Sequence, residues 1–448
     1  MYDDTIAAIA TPPGQGGLGI VRVSGPDAWA IASRLFGGKL EDRRAVHGFI
    51  RDPANGDVID EALVTAMLAP ATYTSEDTVE FSCHGSPLVL QRVVALMLTS
   101  GARLANAGEF TLRAFLSGRI DLAQAESVLD VIQAQTDAGL RLAVQGLRGR
   151  LSEPLGHLRQ RLILVQAYLV ACIDFPEDEV ESQTDIEPAA VLEETEAELR
   201  RLLDSAHLGM IYRHGVRTAI VGRPNVGKSS LLNRLLGEDR AIVTPVPGTT
   251  RDTVEEAINI EGVPFYLIDT AGIHQTDDAV EHLGIERSRQ AVERADLLLL
   301  MLDASAPLTD TDRRVLELAD GKPTLTIANK CDLPAKADLG AAPEPVVRVS
   351  ALTGKGIEEM QRAMAQAVLG DQVTTSDALL VTNPRHKAAL ERALTHLQAA
   401  RESIREGVPE DFVTIDLASC LGALGEITGE GVTEELLDTI FQQFCIGK

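Results

Sequence analysis

The chain has 448 residues, too many for one hydrophobic core and enough for about three domains of roughly 150 residues each. Its 45% hydrophobic and 24% charged residues are those of a globular protein. Forty-one basic against 66 acidic side chains give a net charge of −25, which excludes a nucleic-acid binder that relies on phosphate contacts alone; RNA contact would need a local patch or a partner.

The start, MYDDTIAAIATPPG, has no basic stretch ahead of an apolar one, so it does not read as a secretory signal. Residues 1–118 alternate β-rich runs (GLGIVRVSG, DEALVTAMLA, TVEFSCHG) with one or two helical runs, a small α/β domain. Residues 119–210 change to apolar positions at helical spacing, in DLAQAESVLDVIQAQTDAGLRLAVQGLRGRL and HLRQRLILVQAYLVACI. The stretch 162–173 is too short to span a bilayer and is expected as a buried helix, so no membrane association is expected. An acidic segment, 174–198, carries eleven acids and no base. Residues 211–371 then run strand, loop, helix, with VEEAINI and VPFYLIDT reading as a hairpin turning at Glu261-Gly262 and the rest as a doubly wound, mostly parallel sheet. Helical patterns return in 372–448. The economical organisation is an α/β domain inserted into a helical domain; two separate helical domains are the alternative.

Cys83, Cys172, Cys331, Cys420 and Cys445 are scattered and lack zinc-type spacing, as reduced thiols of a cytoplasmic protein would be. Cys83-His84 has no further ligand nearby in sequence and reads as core or turn. The terminal CIGK has the position of a prenylation box but ends in Lys and follows no polybasic stretch, which argues against lipidation.

GRPNVGKS, residues 222–229, is a phosphate-binding loop between the strand TAIVG and an apolar helix. Gly222 and Gly227 let backbone N–H groups close around phosphate oxygens, and the following helix aims its positive end at the same anion. Lys228 is placed to bridge β- and γ-phosphates and Ser229 to ligate Mg²⁺. Downstream, DTAG (269–272) ends a strand, so that Asp269 reaches Mg²⁺ through water and the Gly272 N–H senses a γ-phosphate. In NKCD (329–332), Asp332 accepts from the N1 and exocyclic amine of guanine, Asn329 donates to the base and the Lys330 stem covers its face. The SAL segment, Ser350, Ala351 and Leu352, offers backbone N–H to the guanine oxygen. Adenine would leave Asp332 facing no donors; charge-assisted hydrogen bonds are worth about 1.5–3 kcal/mol each, so GTP is expected over ATP by several decades.

Where many switch GTPases carry a water-orienting glutamine after D-x-x-G, this chain has Ile273. The charge that an arginine finger supplies, worth about 10³–10⁵ in rate, must come from elsewhere. Asn225 in the phosphate loop and the stiff TPVPGTTRDT segment (244–253) offer an oxygen cage for a monovalent cation, with Thr250 as second Mg²⁺ ligand. Alternatively, Asn225 caps the loop and Arg251 is itself the finger.

GRPNVGKSSLLN, TPVPGTTRDT, DTAG, TPPGQGGLGIVRVSG, GEFTLRAFLSGRIDLAQAE and CIGK together closely resemble the tRNA-modification GTPase family MnmE, also called TrmE, over essentially the whole chain. The resemblance implies a tetrahydrofolate-binding α/β domain at 1–118, a helical domain at 119–210 and 372–448, and an inserted Ras-like G domain at 211–371. It implies K⁺-dependent GTP hydrolysis and, with the flavoprotein MnmG, modification at C5 of the wobble uridine of certain tRNAs. The family's homodimer, joined through its G domains, and its heterotetramer with MnmG are expected as well. Asn225 and the carbonyls of Thr244, Val246 and Thr249 would hold K⁺; Ser229 and Thr250 would hold Mg²⁺. Val226, Ser230, Pro245, Pro247, Gly248, Thr270 and Ala271 complete the nucleotide-contacting set. Glu281 matches the family's catalytic glutamate, although by its own pattern it is a solvated helix-face acid. His274 departs from the arginine of many relatives and puts its switch contacts in doubt. For the folate derivative, 5-formyl or methylene, the resemblance points to Arg22, Glu80, Arg119 and Lys448, with Cys445 near the one-carbon chemistry; the other reading of Cys445 is a buried thiol beside Phe441 and Phe444. The rival function is a ribosome-assembly or signalling GTPase that acts as a binding switch.

Overall fold

A computed structural model describes residues 3–175, 187–238, 256–268, 291–317, 321–370 and 380–448. The chain divides into two compact units: Met1–Leu129 with Gly146–Gln160 and Leu421–Lys448, and Asp130–Gln145 with Arg161–Cys420.

The first unit is built on six strands: β1 (Ile6–Ile9), β2 (Gly16–Ser24), β3 (Ala45–Arg51), β4 (Val58–Met67), β5 (Thr78–Gly85) and β6 (Arg103–Leu104). They lie in the order β3-β4-β5-β2-β1-β6, antiparallel except for the parallel pair β1–β6. Alternation decides the faces, because successive strand side chains point to opposite sides. Val21 and Val23, Val64 and Ala66, and Val79 and Phe81 bury one face under the helices Ala28–Leu35 and Pro87–Thr99. The intervening residues Arg22 and Glu80 are direct cross-strand partners, and Ala8 is opposite Arg22 on β1. That second face carries Ile6, Ala8, Ala105 and Phe110, with Tyr73 packed against them. The sequence suggested one or two helices before residue 118; there are three, because Glu109–Leu116 also forms one.

The loop bearing Tyr73 is held by ion pairs. Arg113, only 1% exposed, meets Asp4 at 2.8 Å and Glu76 at 3.1 Å, and Arg103 pairs with Asp4 and Glu109. Ser24 adds hydrogen bonds to Thr74 (2.7 Å) and Glu76 (3.0 Å), and the Tyr73 hydroxyl meets Thr111 Oγ1 at 3.0 Å.

The second unit contains β7 (Val216–Val221), β8 (Glu256–Ile260), β9 (Val263–Ile268), β10 (Leu297–Asp303), β11 (Thr324–Asn329) and β12 (Val346–Arg348). Their order is β12-β11-β10-β7-β9-β8, all parallel except β8. The β8–β9 hairpin turns at Glu261 (φ +50°) and Gly262 (φ +85°), as the sequence indicated. Apolar cores lie on both faces: one joins Leu231, Leu235 and Met360 to the sheet, the other joins Val292 and Val315. This double cover explains β10, LLLLMLD, in which every residue is buried and no alternation is visible.

Helices Pro188–His214 and Pro384–Arg405 are tied by Glu196, which accepts from Gln398 at 2.9 Å and from Arg401 at 2.7 Å. The 162–173 stretch is helical within Ser152–Asp174, but the expectation that it is buried needs correction. Leu162, Val165 and Leu169 are buried while Ile163, Leu164 and Val170 are exposed, since only one stripe of a helix meets its neighbours. Among the described residues, no helix is long and apolar enough to cross a membrane.

Candidate functional site

The phosphate loop leaves β7 and enters the helix Lys228–Glu238. Both glycines are required by close approach. A Cβ at Gly222 would come within 2.5 Å of the Met301 carbonyl oxygen, and one at Gly227 (φ +104°) would stand inside van der Waals contact of Asn329 Nδ2. Asn225 is exposed and in the left-handed conformation, φ +61°. Val226 is fully buried and anchors the loop. Lys228 Nζ donates to the carbonyls of Gly222 (2.8 Å) and Arg223 (3.0 Å), and burial holds its ammonium below its usual pKa. Ser229 and Ser230 occupy the first turn of the helix.

Across the carboxyl edge of the same sheet, Asn329 ends β11. Its Nδ2 donates to Val226 O at 2.7 Å and its Oδ1 accepts from the Ala351 N–H at 3.0 Å, so this buried amide joins the phosphate loop to the SAL segment. The expected donation from Asn329 to a base therefore shares a group already engaged with the protein. Lys330 (φ +64°) is held by Asp303 at 2.7 Å. Burial opposes the charge on Asp303, but hydrogen bonds from Lys330 and Ser305 hold its carboxyl below the ordinary range. Asp332 is exposed, and among the described residues its carboxylate has no partner. Ser350 is buried and its Oγ accepts from the Thr353 N–H.

Thr244, Pro245, Val246, Pro247, Gly248, Thr249, Thr250, Arg251, Asp269, Thr270, Ala271, Gly272, Ile273, His274 and Glu281 lie outside the described residues.

A second cluster forms in the first unit. Arg22 pairs with Glu80 at 2.8 Å, and its guanidinium lies 5.5 Å from the Phe110 ring centre and 6.0 Å from that of Tyr73. Arg119 lies 5.0 Å from the same Tyr73 ring. The chain's last residues reach this place. Ala107 and Ile446 form a β-bridge, Phe110 N donates to Lys448 O at 3.2 Å, and Arg22 Nη1 donates to Gly447 O at 3.3 Å. Phe441 and Phe444 are buried with ring centres 5.5 Å apart, whereas Cys445 is exposed, which removes the reading of Cys445 as a buried thiol. Cys83 is buried, with burial the first cause of a thiol pKa pushed up to about 12, and His84 instead pairs with Asp60 at 2.7 Å. Among the described residues, no group of three or more His, Cys, Asp or Glu is disposed to hold a metal.

Sequence reasoning missed Tyr73 and Phe110, which carry no local signal. It also missed Arg223, whose guanidinium stands 3.2 Å from the buried Asp312.

A phosphate loop, an N-K-x-D carboxylate and an S-A-x segment at the carboxyl edge of a doubly wound sheet define a P-loop GTPase. Comparisons narrow the class. Residues 5–119 match the family model described as GTP-binding protein TrmE N-terminus, and residues 122–445 match the MnmE helical domain. The chain is 51% identical over 455 residues to the tRNA modification GTPase MnmE of Chloroflexus aurantiacus, covering 100% of both. It is 50% identical over 468 residues to that of Roseiflexus castenholzii, again covering 100% of both. It is 48% identical over 461 residues to that of Geobacillus kaustophilus, covering 99% of both. The chain belongs to the MnmE (TrmE) family of tRNA modification GTPases, with an N-terminal domain, a helical domain and an inserted G domain.

Proposed function

We propose that this protein is a K⁺-activated GTPase of tRNA modification that, with the flavoprotein MnmG, modifies C5 of the wobble uridine to carry an aminomethyl or carboxymethylaminomethyl group, using a tetrahydrofolate one-carbon unit for the carbon attached to C5 and an amine for the nitrogen. In this reading residues 1–118 hold the folate, residues 211–371 hydrolyse GTP, and 119–210 with 372–448 form the helical domain. The active assembly is a homodimer, extended to a heterotetramer with MnmG, and tRNA enters through that complex.

The observation that carries the one-carbon half is the return of the last residues to Arg22. Arg22 and Arg119 provide cations for a glutamate tail, Glu80 an acceptor for pterin donors, and Tyr73 and Phe110 flat apolar walls. Lys448 adds a further cation, and exposed Cys445 stands close by in the chain. These residue types fit a folate. For GTP, exposed Asp332 accepts from guanine, Lys330 covers the base and Lys228 meets the phosphates. Ser229, in the first turn of its helix, is a suitable Mg²⁺ ligand, with Thr250 as the second. Asn225, exposed in the phosphate loop, is a suitable oxygen ligand for K⁺, with the carbonyls of Thr244, Val246 and Thr249 completing the set. Bound there, K⁺ supplies the positive charge that an arginine finger supplies elsewhere, about 10³–10⁵ in rate. Glu281 orients the attacking water.

The test has separable arms. GTP turnover is measured in K⁺ and in Na⁺ at matched ionic strength; equal rates refute the cation's role. Glu281→Ala should bind GTP and lose turnover. Titration of 5-formyl-tetrahydrofolate into the protein and into Arg22→Ala tests the pocket, and undiminished binding by the variant counts against it. Mass analysis of wobble nucleosides from cells lacking the gene tests the product.

A further inference from the structure

The backbone N–H groups of the 350–355 loop can be accounted for one by one. Ser350 N donates to Lys355 O (2.9 Å), Ala351 N to Asn329 Oδ1 (3.0 Å), Thr353 N to Ser350 Oγ (3.2 Å), Gly354 N to Ser350 O (2.8 Å) and Lys355 N to Thr353 Oγ1 (3.5 Å). Leu352 remains. Its N–H has no acceptor among the described residues, and its side chain is 79% exposed.

The residue that holds Leu352 comes from the phosphate-loop helix. Arg234 Nη2 donates to Leu352 O at 2.8 Å. Its guanidinium also lies against the turn: a Cβ at Gly354 (φ +85°) would meet Arg234 Cζ at 3.5 Å. The loop is thus pinned on one side by Asn329, through Ala351, and on the other by Arg234, through Leu352.

The geometry points to Arg234 as a positioning residue for base selection, holding the Leu352 N–H where it donates to the six-position oxygen of guanine. This rests on the reading that the site takes a guanine nucleotide. It deepens that reading: Asp332 reads the donor edge of the base, while Leu352 reads the acceptor edge. Adenine carries an amine at the six position, and a pinned N–H would then face another donor. Selection against adenine is therefore double.

The test compares GDP with 6-thio-GDP, which keeps the N1–H and 2-amine that meet Asp332 but replaces the oxygen with sulfur, a weak acceptor. One backbone hydrogen bond to that oxygen gives the wild-type protein a preference for GDP of roughly tenfold. Arg234→Met should reduce the preference to about twofold, chiefly by weakening GDP binding, and Arg234→Lys, which can still donate to Leu352 O, should restore most of it. Leu352→Pro removes the donor itself and should abolish the preference even if the Met variant does not fold. A ratio of dissociation constants is insensitive to the folded fraction, so a merely structural role for Arg234 would weaken both ligands alike and leave the ratio intact; that result overturns the inference. Failure of the wild-type protein to bind either nucleotide is a different outcome, which removes the guanine reading and the inference with it.

Discussion

Gly447 is the point at which the chain's end is most exposed to a single methyl group. Its φ of +96° lies in the region that side chains avoid, and a Cβ there would stand under 3.0 Å from the Ile9 carbonyl oxygen and at 3.0 Å from Ala10 Cα. Left-handed strain for a non-glycine residue is roughly 1–2 kcal/mol. The clash is with backbone, so relief requires the tail to lift. Lifting loses the bonds from Arg22 to Gly447 O and from Phe110 N to Lys448 O, about 1 kcal/mol each. Strain alone should therefore weaken docking of Gly447→Ala by about 1–2 kcal/mol, a shift of roughly 5–30-fold in the docking equilibrium, and the backbone clash adds to it. Carboxypeptidase B, which removes a C-terminal lysine, reads that fraction as the rate of Lys448 release followed by mass spectrometry, because cleavage tracks the open population when closing is fast. Gly431→Ala is the control: its φ is +69°, but nothing lies near its Cβ position, so Lys448 release should match wild type. If Gly447→Ala releases Lys448 no faster than the control, the tail is not seated by this contact and the reasoning fails.

Asp332→Asn should weaken GDP by about 3–6 kcal/mol, two charge-assisted bonds, and improve binding of xanthosine diphosphate, which presents an acceptor where guanine has its amine; calorimetry showing unchanged GDP affinity would put the base elsewhere. Arg113→Met should destabilise the first unit by about 3–5 kcal/mol in urea unfolding, because Glu76 is left without its cation whereas Asp4 and Glu109 keep Arg103; a loss under about 1 kcal/mol would contradict this. Glu196 has its carboxyl pKa held down to about 2, by Gln398 first, against desolvation, and then by Arg200 and Arg401. Its folded value is depressed, so its contribution is complete above the ordinary 4.5 and is lost as pH falls towards about 2. Thermal unfolding of Glu196→Gln should decline less steeply over that acid window than wild type, and parallel curves would exclude the linkage.

The strand–loop–helix of the phosphate loop and the β8–β9 turn were legible in the chain because their geometry is local. GRPNVGKS needs its glycines and lysine within eight consecutive residues, and the hairpin at Glu261-Gly262 needs only two residues that tolerate positive φ. The buried run of β10 showed its class in the same way, since a strand covered on both faces leaves an uninterrupted apolar string. What the pattern alone misjudged was the 162–173 helix: hydrophobicity marks what can be buried, while neighbours decide which stripe is.

Other features exist only once distant segments meet. Arg22 and Glu80 became a pair through strand register across 58 residues, and Arg22 reached Gly447 across 425. Asn329 joined Val226 to Ala351 through one amide, and Arg234 found Leu352 across 118 residues. Short-range composition carries the identity of a phosphate loop or a turn because bonded geometry sets their partners. A cross-strand ion pair, a docked carboxyl-terminal segment or an arginine holding a distant loop has partners set by packing, and packing is a property of the folded whole.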